Sequence, residues 1–412
     1  MPFRLALSGL NAAQTDLTVT ANNIANVATS GFKGSRAEFA DLFATSQQGV
    51  SSTAIGNGVK VANVAQQFTQ GNIDFTDNSL DLAMSGQGFF VINDGGALSY
   101  TRAGAFQVDN NGYVVNAKQQ RLQVYPPLAT GGFNTGGLSD LSLSTGVSAP
   151  QATSNVSVQL NLPASDTQPT SAPFDPADTA SYNRTTSLTI YDSLGAAHTA
   201  SMYFVKTATP NAWETHLYVD GGPVTSPPPT SATSQALTYD DSGNLTSPTT
   251  GDLPWGPYTP ATGAADMNMT FDFGATTQYG QNFTVSSLPQ DGFTTGRLIG
   301  IDVDGSGVVQ ARFTNGRSNA LGQIAVANFA NPQGLQQLGD TSWAETFSSG
   351  QATRGVAGNS GFGLVQAGAL EASNVDITEQ LVNMITAQRN FQANAQMIST
   401  ADSITQTIIN IR

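Results

Sequence analysis

The stretch PFRLALSGLNAAQTDLTVTANNIAN, Pro2 to Asn26, places Phe3, Leu10, Leu17 and Ile24 seven residues apart, with Ala6, Ala13, Thr20 and Val27 three residues after each. A seven-residue repeat split three and four is the seam of a helix that packs lengthwise on another helix. Only Arg4 and Asp16 are charged between Met1 and Ser30, so the face away from the seam is Asn, Gln, Thr and Ala rather than a lattice of surface ion pairs. Thr29, Ser30 and Gly31 are turn formers, and the helix is expected to end near Asn26.

The other end of the chain mirrors this pattern. Ile377, Leu381, Met384, Gln388, Phe391, Ala395, Ile398, Ala401, Ile404, Ile408 and Ile411 advance by steps of three or four. A helix of that length is roughly 50 Å long. Ser373 or Asp376 is placed to cap it, and Asp376 and Glu379 suit the positive end of its dipole. The amides Asn383, Gln388, Asn390, Gln392, Asn394 and Gln396 fill most of its polar side. Helices this poor in charge gain stability mainly from tertiary packing, and a solitary pair would leave much of its surface bare. The two ends are therefore expected to pack against each other and against copies of the same chain.

Between the ends the period falls to two. Val156, Val158, Leu160 and Leu162 alternate with polar residues, as do Leu188 and Ile190, then Met267, Met269, Phe271 and Phe273, which predicts β-strands. Asp94-Gly95-Gly96, Asn111-Gly112, Asp220-Gly221-Gly222, Asp241-Ser242-Gly243, Asp304-Gly305 and Asn315-Gly316 supply turns that tolerate positive φ. Stretches rich in Pro, Ser, Thr and Gly at 126–154, 163–180 and 221–234 read as links.

The expected fold class is mainly β with long terminal α-helices, two β-domains, one inserted in the other, carried on a coiled-coil-like pair of N- and C-terminal helices. The expected division is a helical core of 1–30 and 366–412, a linking segment 31–80, an inner β-domain of 81–155 and 290–365, and an outer inserted β-domain 156–289. A chain of 412 residues requires more than one core.

Composition narrows function. Charged residues are only 11%, with 42 glycines, and the net charge is −14 with 15 Lys and Arg in all, which argues against nucleic acid and anionic lipid as partners. The absence of cysteine removes disulfides, thiolate metal sites and cysteine nucleophiles. No run of apolar residues is long enough for a membrane span, so no membrane insertion is expected. The apolar run Leu5 to Leu7 is cut at once by Ser8 and Gly9, so Met1 to Ala13 makes a poor secretory signal, and export without a cleaved peptide is expected.

Several patterns imitate chemistry. Asp302-Val303-Asp304-Gly305-Ser306-Gly307 begins like a calcium loop, but Phe313 stands at the twelfth position, where a bidentate Glu is required, and a hairpin turn is the better reading. Gly86-Gln87-Gly88 lacks the third glycine of a dinucleotide fingerprint and instead leads into a buried strand, Phe89-Phe90-Val91-Ile92. His198 and His216 lie on expected strands and read as surface residues, and Asp240-Asp241 belongs to a turn. No catalytic, cofactor-binding or metal residues are assigned.

At the terminal seams the sequence resembles the axial proteins of the bacterial flagellum. Ala21-Asn22-Asn23-Ile24-Ala25-Asn26 followed by Thr29-Ser30-Gly31-Phe32-Lys33 is similar to the Asn-Asn-x-Ala-Asn and Thr-x-Gly-Phe-Lys motifs of rod and hook subunits. Glu371-Ala372-Ser373-Asn374-Val375-Asp376 and Met384-Ile385-Thr386-Ala387-Gln388-Arg389-Asn390-Phe391-Gln392-Ala393-Asn394 form its C-terminal counterpart. The likeness is closest to the hook family. It continues through Phe39-Ala40-Asp41-Leu42-Phe43, Leu80-Asp81-Leu82-Ala83, Gly88-Phe89-Phe90, Tyr100-Thr101-Arg102 and Leu321 to Phe329, and more thinly through Ser181-Tyr182-Asn183 and Tyr191-Asp192-Ser193.

The resemblance implies a non-enzymatic subunit of a helical homopolymer, a curved flexible hollow tube that joins rod to filament. It implies as partners the chain itself, a distal rod protein, a hook cap protein, a hook–filament junction protein and the flagellar type III export apparatus. The expected assembly core is Phe3, Leu10, Leu17, Ile24, Asn22, Asn23, Asn26, Leu381, Met384, Gln388, Phe391, Ile398, Ile404 and Ile408, with Gly31, Phe32 and Lys33 as a linker motif. Links near Ser154 and Pro289 are expected hinges. The alternatives are a distal rod subunit, which lacks a large inserted β-domain, and a secreted β-rich carbohydrate-binding protein or enzyme, which would leave the matched terminal seams unexplained.

Overall fold

A computed structural model describes residues 2–42, 56–128, 130–143 and 147–410. Among the described residues two α-helices, α1 (Pro2–Ala25) and α2 (Ile377–Asn410), flank a chain of β-strands and turns with one short 3-10 helix, Pro332–Gly334. It divides into two compact units: Met1–Thr145 with Gly300–Arg312 and Ser318–Arg412, and Gly146–Ile299 with Phe313–Arg317.

In the first unit the strand Ser318–Asn328 organises the sheet. It pairs antiparallel with Val308–Phe313, Arg121–Tyr125, Phe89–Asp94 and Thr353–Val356 along its eleven residues. The run Phe89-Phe90-Val91-Ile92 is apolar at every position because both faces of this sheet are covered. Phe90 and Ile92 join Leu122, Val124, Ile324 and Val326 on one side, while Phe89 and Val91 join Tyr100, Ala325, Phe329 and Trp343 on the other. Gly86 and Gly88, at φ 110° and 130°, turn the chain into this strand.

Among the described residues the second unit holds two larger sheets and a two-stranded one, Gln159–Asn161 with Thr284–Ser287. Arg184–Tyr191, Ala197–Lys206, Ala212–Val219, Gly222–Val224, Gln235–Tyr239 and Leu245–Ser247 form one of the larger sheets, and Asn155–Ser157, Met267–Asp272 and Asp252–Tyr258 form the other. Alternate residues from these sheets build one core: Val156, Val158, Leu160, Leu162, Ile190, Met267, Met269, Phe271 and Phe273 are all buried there beside Trp213 and Trp255. These are the positions that a period of two selects, because a half-covered strand sends every second side chain inward.

The turns rest on a repeated device. Asp304 Oδ1 accepts from the amides of Ser306 and Val308, Asp240 Oδ1 from those of Ser242 and Asn244, and Asp109 Oδ1 from those of Asn111 and Tyr113, at 2.7–2.9 Å. Each carboxylate is occupied by its own turn. Asp302, the other acid of the calcium-like run, pairs instead with Arg312 at 2.8 Å.

Three expectations change. The 163–180 stretch folds onto the second unit's sheet: Phe174 stacks on His216 with ring centroids 3.9 Å apart and meets Tyr203 at 5.4 Å. The links near Ser154 and Pro289 are laced together, since Asp291 Oδ1 accepts from the Ser154 and Asn155 amides at 2.8 and 3.0 Å, and free hinges do not lie there. Both histidines are buried at 6% exposure, against the reading as surface residues. His198 shares the inward face of its strand with Ala200, Met202 and Phe204, and His216 lies on the outer face of its own strand, which the Phe174 loop covers.

His198 bridges two acids. Its Nδ1 lies 2.6 Å from Asp220 Oδ2 and its Nε2 3.2 Å from Asp192 Oδ2, while Thr262 donates to Asp192 at 2.6 Å. Burial works against the imidazolium, but the hydrogen bonds to Asp220 and Asp192 outweigh it and raise the His198 pKa. Burial also opposes the Asp192 carboxylate, yet bonds from Thr262, His198 and two backbone amides bring it down to about 2. His216 is the reverse case, its pKa lowered by burial, with Nδ1 donating to the Thr233 carbonyl at 3.0 Å.

By linkage, the histidine's share of stability is full below the ordinary imidazole value of 6.5 and fades as pH rises through its raised folded pKa. The carboxylates' share is present above 3.8 and fades as pH falls through their depressed folded values. Proton-resolved titration of the two imidazoles in the full chain is expected to place His198 above 6.5 and His216 below it. The opposite order would overturn the assignment.

Candidate assembly site

The helices begin and end by local rules. Asp376 caps α2, its Oδ1 accepting from the amides of Thr378 and Glu379 at 2.7 and 3.0 Å. The end of α1 is bound by its asparagines: Asn26 Nδ2 donates to Asn22 O and Oδ1, both at 2.9 Å. Along both helices hydroxyls fold back on the preceding turn, including Thr15 to Asn11, Thr18 to Gln14, Thr386 to Val382, Thr400 to Gln396 and Thr405 to Ala401. Their polarity is satisfied within the helix, which lets these positions present methyl groups outward.

The two signatures form one knot in space. Lys33, 1% exposed, donates from Nζ to Glu371 Oε1 at 2.6 Å and to the Thr69 carbonyl at 2.7 Å. Arg102 Nη1 donates to Glu371 Oε2 at 3.2 Å, and the Gly71 amide to Glu371 Oε1 at 2.9 Å. Burial lowers the pKa of both Lys33 and Arg102, and the Glu371 charge opposes this. The guanidinium also sits over the Phe89 ring, 5.3 Å from its centroid, which offsets part of the second cation's desolvation.

The knot extends through asparagine. Asn23 Nδ2 donates to the Ser35 carbonyl at 2.7 Å and to Gln380 Oε1 at 3.1 Å, while its Oδ1 accepts from the Ser35 amide at 2.9 Å. Asn374 accepts from the Gly34 amide at 2.8 Å and donates to the Gln67 carbonyl at 2.7 Å. Gly31 donates from its amide to the Glu371 carbonyl at 2.7 Å. A side chain at Gly31 would strike Ala103, since a Cβ there lies 2.5 Å from its amide nitrogen, and φ is +70°. Phe32 is half-buried beside them.

From this knot α1 and α2 run antiparallel, with Asn23 against Gln380 and Gly9 against Asn394. On α1 the buried positions are Ala6, Ala12, Ala13, Thr20 and Asn23. Leu10, Leu17, Ile24 and Asn26 are half-buried, whereas Phe3 and Asn22 are exposed. On α2 Ala387 is fully buried, and Gln380, Met384, Phe391, Asn394, Ala395, Ile398 and Ala401 are half-buried. Leu381, Gln388 and Ile404 are exposed, and the side chain of Ile408 and all of Ile411 lie outside the described residues. Phe43 also lies outside them.

The seam within the chain is thus built largely from small residues. The larger apolar side chains Phe3, Leu7, Ile377, Leu381, Val382 and Ile385 are 43–59% exposed. Two antiparallel strands, β1 (Ser35–Asp41) and β2 (Val59–Gln66), follow α1, and Val59 donates to Ser8 Oγ at 3.3 Å. Glu371, Arg102, Asn374 and Gln380 are absent from the assembly core expected from sequence. The first three stand inside the quoted motifs, but their partnership joins segments hundreds of residues apart.

The chain is thus β-rich, with its two terminal helices knotted together and large apolar side chains left open along them. Residues 3–33 match the flagellar basal body rod protein family, 83–161 the flagellar hook protein FlgE/F/G D1 domain, 161–293 the flagellar basal body protein FlaE D2 domain, and 366–411 the C-terminal region of flagellar basal body rod FlgEFG proteins.

The chain is 40% identical to the flagellar hook protein FlgE of Salmonella typhimurium, with all of both chains covered. It is 39% identical to that of Escherichia coli over all of both chains, and 33% to that of Borreliella burgdorferi over 98% of each. Its fold is similar to that of Helicobacter pylori flagellar hook protein FlgE2, with a TM-score of 0.54 at 14% identity, covering 73% of this chain and 100% of that one. The chain belongs to the flagellar hook protein family, and its role is that of a structural subunit of the hook. It is part of the flagellum, polymerises with itself and associates with other rod and hook components. Among the described residues no helix is long and apolar enough to cross a membrane.

Glu371→Gln leaves two buried cations facing each other without an anion. A loss of about 3–5 kcal/mol in denaturant unfolding of the first unit is expected. Gly31→Ala, by backbone strain and contact with Ala103, is expected to cost about 1–3 kcal/mol in the same measurement.

Proposed function

We propose that copies of this chain assemble into a curved, flexible hollow tube that passes torque from rod to filament as a universal joint, with α1 and α2 forming its innermost wall. In this reading residues 1–30 and 366–412 are the core, 31–80 a linking segment, 81–155 and 290–365 an inner β-domain, and 156–289 an outer one. Phe3, Leu10, Leu17, Ile24, Leu381, Met384, Phe391, Ile398, Ile404 and Ile408 supply the apolar contacts of that core, with Gln388 on its polar side. Asn22, Asn23, Asn26, Gly31, Phe32 and Lys33 fix the exit from α1. The single observation that carries the reading is the set of large apolar residues left open on paired helices that carry few charges.

A wall of amides and hydroxyls offers transiting chains few charges and little broad apolar surface to bind. The role is mechanical and the chain is not an enzyme. Its partners are further copies, a distal rod protein, a hook cap protein, a hook–filament junction protein and the type III export apparatus. The 161–293 match supports a hook over a distal rod subunit, which lacks a large inserted β-domain.

The test is Leu381→Asp. Leu381 is 45% exposed, so the substitution is expected to leave the β-type circular dichroism signal and the α1–α2 pairing intact while abolishing polymerisation of concentrated or seeded protein. Normal polymer from this variant would sink the proposed role of that face.

A further inference from the structure

The chain holds two histidines, and one of them faces an acceptor on each side. His198 stands near the start of the strand Ala197–Lys206 in the second unit, with Nδ1 2.6 Å from Asp220 Oδ2 and Nε2 3.2 Å from Asp192 Oδ2. Its ring packs edge-to-face with Tyr258, centroids 5.9 Å apart. Among the described residues the titratable groups that face it are therefore Asp192, Asp220 and Tyr258. Burial, with the Asp220 charge, raises the Tyr258 pKa above the ordinary phenol value of 10.0, so the phenol stays neutral while the imidazole titrates.

Ionised carboxylates only accept hydrogen bonds, an imidazolium has two N–H donors, and a neutral imidazole has one. Both contacts are thus satisfied together only by the protonated ring. Loss of its proton sets a lone pair against a carboxylate oxygen, and one acid must withdraw.

The surroundings decide which. The Asp192 side chain is fully buried, and besides His198 it holds the amides of Leu194 and Ala196, each at 2.9 Å, and Thr262 Oγ1 at 2.6 Å. A buried charge needs every donor it has. The Asp220 side chain is 46% exposed, in a turn where Asp220 and Gly221 have φ of 48° and 82°. Its Oδ1 accepts from the Thr199 amide at 2.9 Å, which extends the strand ladder one step beyond the Ala200–Val219 pair, and Tyr258 donates to its Oδ2 at 3.4 Å. Water can replace each of these partners.

We propose that His198 is a proton-operated latch on the 220–222 turn: the protonated ring draws Asp220 onto itself and onto the Thr199 amide, whereas the neutral ring keeps its one N–H, on Nε2, for Asp192 and releases Asp220. Burial opposes the imidazolium, but the bonds to Asp220 and Asp192 raise its pKa, so closure is full at acid pH and is lost as pH rises through the raised value. Between the open-turn and closed-turn values of the ring the opening equilibrium grows about tenfold per pH unit, because one proton is exchanged. Ala200, Met202 and Phe204, on the same face of the strand, belong to the core and carry no titrating group. The result is a surface turn whose order follows ambient pH above a core that does not.

Hydrogen exchange in the dilute full-length chain is the experiment, with the protection of each amide expressed relative to its intrinsic rate at that pH and the His198 titration followed from its ring protons. The Thr199 amide is expected to lose protection by about tenfold per pH unit as His198 deprotonates, while Leu194, Ala196 and the amides from Trp213 to Leu217 keep theirs. Asp220→Asn is expected to flatten the Thr199 profile across the same range, since its Nδ2 donates to the neutral Nδ1 while its Oδ1 accepts from Thr199. Constant Thr199 protection through the His198 titration would overturn the latch, and so would a pH dependence that persists in Asp220→Asn. Loss of protection at Leu194 and Ala196 with Thr199 unchanged would make Asp192 the released arm and overturn it as well.

Discussion

Glu371 carries a charge that neither of its cations can do without. Lys33 and Arg102 are both buried against it, and the Gly71 amide takes part of the remaining capacity of its carboxylate. Removing charge from water is tolerated only with close partners, so the three side chains must arrive together or not at all. That requirement joins the exit of α1, the end of the strand Ala97–Thr101 in the first sheet and the residues before α2. The antiparallel course of the helices follows, because both leave the same knot.

Asparagine completes what the charges begin. Asn23 and Asn374 each use both ends of their amides, on the Ser35 backbone and Gln380 in one case and on Gly34, Gln67 and Thr69 in the other. An amide satisfies a donor and an acceptor at once and brings no net charge, which suits a junction already holding two cations and one anion. The helices then pair through Ala6, Ala13, Thr20 and Ala387. Small residues permit a close approach inside the chain and leave the bulkier ones for contacts between copies.

The β-units are legible in the sequence at the level of strands and turns. Val156 to Leu162 and Met267 to Phe273 sit in one core because alternation is a local property of an extended chain, and the Asp-Gly turns form for an equally local reason. The burial of His216 is not legible, since it depends on Phe174 arriving from a separate loop, whereas His198 alternates with Ala200, Met202 and Phe204 on the inward face of its strand and only its acidic partners, Asp192 and Asp220, come from elsewhere. The same holds for the expected hinge at Ser154, which only the folded chain shows tied to Asp291.

By itself the sequence determined the two terminal helices, the β character of everything between them and the family to which the signatures belong. Each of these is written in spacings of a few residues, which local backbone geometry converts directly into structure. Only the tertiary structure decided which face of each helix is used within the chain. A heptad marks Phe3, Leu10, Leu17 and Ile24 as one stripe, but the register with α2 puts Ala6, Ala13 and Thr20 at the centre of the contact and turns Phe3 and Leu381 outward. That register is set by Lys33, Glu371, Asn23 and Gln380, partners more than three hundred residues apart, whose meeting is favoured by buried electrostatics and amide hydrogen bonding that no local pattern encodes.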